Sequence, residues 1–127
     1  MAIKVGNTTV IDDNRRILVR VNTQTTAGSS LTPNSDNVDE YVVTAQNAAL
    51  TIAADTGTPV DGQKMLFRIK DDGTARTLAF TTGSTKSFRA IGITLPNTTV
   101  AGKTTYIACK YNSADSRWDV LAANTEA

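Results

Sequence analysis

The feature that most constrains this chain is a ten-residue segment that alternates apolar and polar residues. Residues 62–71 repeat with a period of two, which is the periodicity of a half-buried β-strand. The apolar side chains that would share one face are Met65, Phe67 and Ile69. The dipeptide Asp72-Gly73 is typical of a tight turn, and residues 75–81 again place apolar side chains two apart. We therefore predict a β-hairpin whose apolar face packs against another sheet.

Further strand-like runs follow residue 40 at a spacing of about ten residues, separated by Gly, Pro and Asn turns. These runs are residues 41–45, 49–53, 88–91, 93–95, 104–111 and 118–121. No segment shows helical spacing over three turns, although residues 47–54 could form a short helix. The sequence predicts an all-β fold, with a single antiparallel β-sandwich or jelly-roll-like domain over residues 40–127.

The N-terminal part of the chain predicts two further regions. Residues 1–21 contain short apolar runs around a Gly-Asn turn, with another short strand at 16–21, and are expected to form an extended arm. Residues 22–39 are rich in Thr, Ser, Gly and Asn, which predicts a linker or long loop without strands. The candidate partner-binding residues of the arm, which would add as strands to the sheet edge of a partner, are Ile3, Val5, Val10 and Ile11.

The charge balance argues against several classes of partner. The chain of 127 residues has 13 basic and 12 acidic residues and a formal net charge of +1, without a basic stripe, so we expect no nucleic-acid partner. It has no apolar run of about 20 residues, so we expect no membrane partner. The N-terminus lacks the pattern of a signal peptide, and the single Cys109 can form no intrachain disulfide. Together these features favour synthesis in a cytoplasm.

The residues that usually carry chemistry are sparse. The chain has no histidine, which excludes Ser-His-Asp and Cys-His catalysis and a zinc site within the chain. The carboxylates at 12–13, 36–40 and 71–72 fit turns better than a calcium loop, although calcium shared between subunits stays open. We expect no catalytic residue, no cofactor, no metal site and no small-molecule substrate.

Three side-chain features have two interpretations each. Cys109 is expected to be a small core residue, with a reactive thiol as the alternative. Trp118 is expected to cap the core with its indole N–H bonded, and the alternative is a tryptophan that stacks on a ligand. The 21 threonines fit an exposed strand face, or a polar surface that self-associates.

Several stretches resemble structural proteins of tailed bacteriophages. The opening MAIKVGNTTVIDD, residues 1–13, is similar to the start of many such proteins, including cyanophage fibre-like proteins. The stretches that resemble a small β domain of phage virion proteins are residues 56–76, 88–96, 102–106 and 111–120. The resemblance implies a virion component and no catalytic residues.

The chain is predicted to have a short arm before one compact domain. Taken with this organisation, the resemblance implies a capsid decoration (cement) protein on the outer capsid surface of the virion. Its expected partners are the major capsid protein and itself, as a homotrimer. One alternative is a short tail-fibre adaptor or receptor-binding tip. Another is a carbohydrate-binding module, in which Trp118 with Tyr106 or Tyr111 would form a stacking platform. An enzyme is the least favoured interpretation.

Overall fold

The computed structural model describes residues 1–127 and is built entirely from strands and loops. The strands are β1 (Ile3–Val5), β2 (Thr8–Ile11), β3 (Val21–Gln24), β4 (Ser30–Leu31), β5 (Glu40–Gln46), β6 (Leu50–Ile52), β7 (Lys64–Asp71), β8 (Leu78–Phe80), β9 (Ser87–Ala90), β10 (Thr104–Asn112) and β11 (Arg117–Thr125). The all-β prediction is confirmed. The structure contains no helix that is long and apolar enough to cross a membrane.

The strands form three sheets. A six-stranded sheet has the order β3-β5-β7-β10-β11-β9, and a three-stranded sheet has the order β4-β6-β8. The strands β1 and β2 form a separate two-stranded sheet, the N-terminal hairpin. Both larger sheets contribute side chains to one hydrophobic core.

From β3 to β8 the chain passes alternately through the large and the small sheet. The large-sheet strands β3, β5 and β7 are mutually parallel, and so are the small-sheet strands β4, β6 and β8. Each pass therefore adds one strand to both sheets, as in the coils of a β-solenoid. The prediction of an antiparallel domain is wrong, because only β10 pairs antiparallel with its neighbours β7 and β11 within the large sheet.

The predicted hairpin over residues 62–81 is also wrong, although its first strand is correct. Met65, Phe67 and Ile69 are buried on one face of β7, but β7 pairs with β5 and β10, and β8 lies in the other sheet. The reason is visible at Asp71, whose buried carboxylate accepts hydrogen bonds from the Gly73 and Gly102 N–H groups and from the Thr99 hydroxyl. These bonds hold the chain in a turn toward the small sheet.

A second buried polar residue fixes the preceding turn in the same way. Gln46 lies opposite Asp71 in the register of β5 and β7 and is fully buried. Its side-chain oxygen accepts from the Ala27 N–H at 2.9 Å, and its side-chain nitrogen donates to the carbonyls of Gly28 and Ala48. Because these bonds replace water for buried groups, the side chain holds two successive sheet-to-sheet turns together.

A third buried polar residue, Asp55, connects three parts of the chain. Its carboxylate accepts hydrogen bonds from the Ser35 N–H and hydroxyl, the Gly57 N–H and the Trp118 indole N–H. Gly57 packs so closely that an added Cβ would lie 2.4 Å from the Ser35 Oγ. The loop between β4 and β5, the turn after β6 and strand β11 therefore meet at one carboxylate.

The core consists of buried side chains from both larger sheets, with a cluster of aromatic rings in the middle. Phe67 stacks on Tyr41 at a centroid distance of 5.4 Å and meets Phe88 edge-on at 5.8 Å. Tyr111 and Trp118 form a tilted pair at 5.2 Å. Such pairs add about 0.5–1.5 kcal/mol each beyond the area they bury.

Residues 22–39 are not free of strands, which corrects the second regional prediction. They include most of β3 and all of β4, which pair in parallel with β5 and β6. Leu31 is buried in the core, and Ala27 and Val38 pack against it, so these apolar contacts and the backbone pairing hold this polar segment. Elsewhere, residues 47–54 contain strand β6 and not a helix, and residues 93–95 form a loop and not a strand.

Candidate partner-binding surface

The N-terminal hairpin lies outside both larger sheets and carries an exposed apolar row. Ile3 lies opposite Ile11 in the pairing of β1 with β2, and Ile11 lies opposite Ile17 in an isolated antiparallel bridge. Residues directly opposite each other in an antiparallel pair share one face, so the three isoleucines form a row across three extended segments. Ile3 is 50% exposed and Ile17 is 80% exposed. A row of this kind is a surface suited to contact with another protein.

The structure brings together part of the predicted arm site. Ile3 and Ile11 are opposed, whereas Val5 lies opposite Thr8 at the tip of the hairpin and is 71% exposed. Val10 and Ile11 are half-buried, and both belong to β2. All four predicted residues therefore lie in the same small sheet, with Ile3 and Val5 as its most accessible apolar side chains.

Three residues of this surface were not among the predicted partner-binding residues. Ile17, Leu18 and Val19 were assigned to a short strand, but they lie outside the strands of the larger sheets and remain 42% or more exposed. The signal in the sequence was the run of three consecutive apolar residues between two arginines. A run of this kind without a polar alternation indicates a surface that is covered by something.

A charged turn shapes the return of the chain from β2 to Ile17. The Asp12 carboxylate accepts hydrogen bonds from the N–H groups of Asn14 and Arg16 and from the Arg16 guanidinium. The Arg16 side chain holds the pKa of Asp12 below its ordinary value. Arg15 adopts a positive φ of 64°, which allows the chain to reverse within this turn.

The hairpin is connected to the body through Arg20. Its guanidinium forms two hydrogen bonds with the Asp39 carboxylate, at 3.0 Å and 2.7 Å, and donates to the carbonyls of Ser35 and Asp36. The ion pair with Arg20 lowers the pKa of Asp39, and Asp39 in turn raises the pKa of Arg20. The two-pronged geometry fixes the direction in which the chain leaves the body toward the hairpin.

The core predictions for Cys109 and Trp118 are confirmed. Cys109 is 4% exposed, and burial raises the pKa of its thiol. Trp118 is completely buried, and its indole nitrogen donates to Asp55 at 3.2 Å. Tyr111 is also buried, whereas Tyr106 is 45% exposed on the outer face of the large sheet. Neither Trp118 nor Tyr111 is therefore available to stack on a sugar.

The carboxylates act in turns and ion pairs of the fold. Burial acts to raise the pKa of Asp71, but the hydrogen bonds from Thr99, Gly102 and Gly73 outweigh it and lower the pKa. Asp72 is paired with Arg76 at 2.7 Å. No group of three or more His, Cys, Asp or Glu side chains is placed to hold a metal ion.

No family model, curated protein or solved structure matches this chain. The mode of attachment is inferred below from the geometry of the N-terminal hairpin, and the virion class from the sequence resemblance alone.

Proposed function

We propose that this protein is a structural, adhesive component of a phage virion, and that it attaches through its N-terminal hairpin. The observation that carries the proposal is the apolar row of Ile3, Ile11 and Ile17 at the N-terminal hairpin, in which Ile3 and Ile17 are exposed. Covering about 200 Å² of apolar surface would contribute about 5 kcal/mol before ordering costs. A hairpin held by Arg20 is already partly ordered, which reduces those costs.

Within that class we propose a capsid decoration protein that binds the major capsid protein and assembles as a homotrimer on the outer capsid surface. A compact β body with one projecting hairpin suits a knob that contacts neighbouring shell subunits. Three hairpins on one trimer would act together, so that modest individual contacts give lasting attachment. In this proposal the protein works by binding and not by catalysis. Its body is a β-sandwich in the broad sense that two sheets enclose one core.

The decisive experiment measures binding of the full-length protein to capsids that lack it. Ile3→Glu with Ile17→Glu places two charges in the apolar row and should abolish co-sedimentation with capsids. The matched control is Val100→Glu, because Val100 is 47% exposed and lies in the body, in the loop between β9 and β10. Unchanged binding of the hairpin variant would refute the proposed attachment. Light scattering of the purified protein should give three times the mass of one chain.

One observation favours a tail-fibre role as the second candidate. The strands β3 and β4 are both edge strands at the same end of the stack of parallel strands, so further strands could add there. Stacks of this kind are how elongated β-proteins grow. Immunogold labelling of virions separates the candidates, since label on the head supports a decoration protein and label confined to the tail supports the fibre role.

A further inference from the structure

A second surface, which shares Ile17 with the isoleucine row, lies on the outer face of the large sheet. It is an open groove of about 730 Å³ between that face and the segment Ile17–Val19. Its apolar floor is formed by Leu66, Ala108 and Leu121. Leu121 lies where the register of β10 and β11 shifts, and it is 49% exposed. A bulge of this kind re-aims a side chain, and here it leaves an apolar side chain at the surface.

Two lysines without ion-pair partners lie at one end of this groove. Lys64 and Lys110 are directly opposite each other in the pairing of β7 with β10, and neither forms a salt bridge. Three nearby carboxylates, Asp39, Glu40 and Asp119, are ion-paired with arginines. Asp61 accepts a hydrogen bond from the Ser113 N–H and keeps its charge near Lys110, so one of the two lysine charges remains uncompensated at this end of the groove. Like charges directly opposite on neighbouring strands are destabilising. An anionic group bound between these two lysines would relieve that repulsion.

The wall of the groove offers unpaired backbone groups. The Leu18 N–H donates to the Val10 carbonyl and the Arg20 N–H to the Asp39 carboxylate, but the N–H groups of Ile17 and Val19 make no hydrogen bond within the protein. An extended segment with free N–H groups is a template for the addition of another strand.

We propose that this groove binds an extended segment of a partner protein that carries alternating apolar side chains and adjacent carboxylates. The segment pairs with the backbone of Ile17–Val19 and packs its apolar side chains on Leu66 and Leu121. Its carboxylates lie between Lys64 and Lys110. The charge complementarity of the two lysines selects an acidic segment, and the free backbone groups select an extended one. The groove receives a partner segment, whereas the isoleucine row is itself the inserted surface. The two surfaces share Ile17, so the groove is tested through Lys64 and Lys110, which lie outside the row.

The test uses defined peptides and the full-length protein. The probes are fluorescein-labelled eight-residue peptides with Val, Ile, Leu or Phe alternating with Thr and ending in Glu-Glu. The comparison peptides end in Lys-Lys. Fluorescence polarisation should show at least about tenfold tighter binding of an acidic peptide, which corresponds to about 1.4 kcal/mol. Amide NMR shifts on binding should be centred on Ile17, Val19 and Leu121.

Charge reversal supplies the matched variants. Lys64→Glu with Lys110→Glu should reverse the preference in favour of the Lys-Lys peptides. Lys70→Glu with Lys103→Glu makes the same change of net charge at two lysines that do not line the groove, and it should leave the affinities within about twofold. All four lysines are at or near the surface, so both variants should keep the circular dichroism of the parent protein.

Three results would overturn the inference. The first is that no acidic peptide of the set binds at millimolar concentration, or that both peptide types bind equally. The second is that the amide shifts fall outside the groove. The third comes from sedimentation velocity, if the parent protein self-associates and Lys64→Glu with Lys110→Glu abolishes that association, because the occupant is then a second copy of this chain.

Discussion

Replacing Asp55 tests whether one buried carboxylate holds three parts of the fold together. Asp55 is 3% exposed and accepts four hydrogen bonds, from the Ser35 N–H and hydroxyl, the Gly57 N–H and the Trp118 indole. Asp55→Ala leaves all four donors buried without a partner. Each unsatisfied group costs about 1–3 kcal/mol, so we expect a loss of at least about 4 kcal/mol in the free energy of unfolding. For a chain of this length, that loss lowers the melting temperature by roughly 12–20 °C.

Asp55→Asn should cost less, about 2 kcal/mol, because it keeps one acceptor oxygen for the two backbone N–H groups. Its new amide nitrogen would face the Trp118 N–H, so one hydrogen bond is replaced by two opposed donors. The control is Asp13→Asn, since the Asp13 side chain is 78% exposed and should change stability by less than about 0.5 kcal/mol.

Urea unfolding provides the measurement, followed in parallel by circular dichroism and by the fluorescence of Trp118, the only tryptophan. Agreement of the two signals would justify a two-state treatment. A loss below about 1 kcal/mol for Asp55→Ala would show that water or other groups satisfy the four donors, and the reasoning would fail.

Three further predictions follow from the same structure. Gly57→Ala should lower the free energy of unfolding by about 2 kcal/mol or more, because its Cβ would lie 2.4 Å from the Ser35 Oγ; denaturant unfolding would measure this, and an unchanged midpoint would contradict it. The folded pKa of Asp71 is lowered from 3.8, so its contribution to stability is present above that pH and is lost as the pH falls through the folded pKa. Asp71→Asn should therefore flatten the acid limb of a stability-against-pH curve, and an unchanged slope would be the contrary result. Arg20→Ala removes the paired bonds to Asp39 and should speed hydrogen exchange in the N-terminal hairpin while leaving exchange in the body unchanged.

The period-two patterns identified most strands of the body, because apolar and polar residues alternate within the sequence of each half-buried strand. Met65, Phe67 and Ile69 are buried together on β7, as their spacing predicts. The same patterns could not identify the partner of β7, since the alternation of side chains is equal in parallel and antiparallel pairs. The predicted turn at Gly73 is present, with φ 99°. It does not close a hairpin, because the hydrogen bond from the Gly73 N–H to the Asp71 carboxylate directs the chain toward the small sheet.

The binding surface was predicted only in part, because local sequence patterns do not show which segments pair with each other. Ile3 and Ile11 were recognised because short apolar runs in a predicted extended arm indicate strands that add to the sheet edge of a partner. Ile17 joined them only in the structure, because its position depends on the reversal at Asp12 and not on its own neighbours in sequence. The facing lysines Lys64 and Lys110 belong to strands far apart in the chain, so no local pattern could have paired them.

The alternation of the chain between two sheets also dictates the order in which it can fold. Each parallel pair from β3 to β8 forms only after the chain has closed a loop through the opposite sheet, which is entropically costly and slow. By contrast, β10 and β11 are long neighbours joined by the four-residue turn 113–116. We expect that pair to nucleate folding, with β7 adding next and the earlier coils closing last, so that the edge which carries the hairpin is the final part of the body to become rigid.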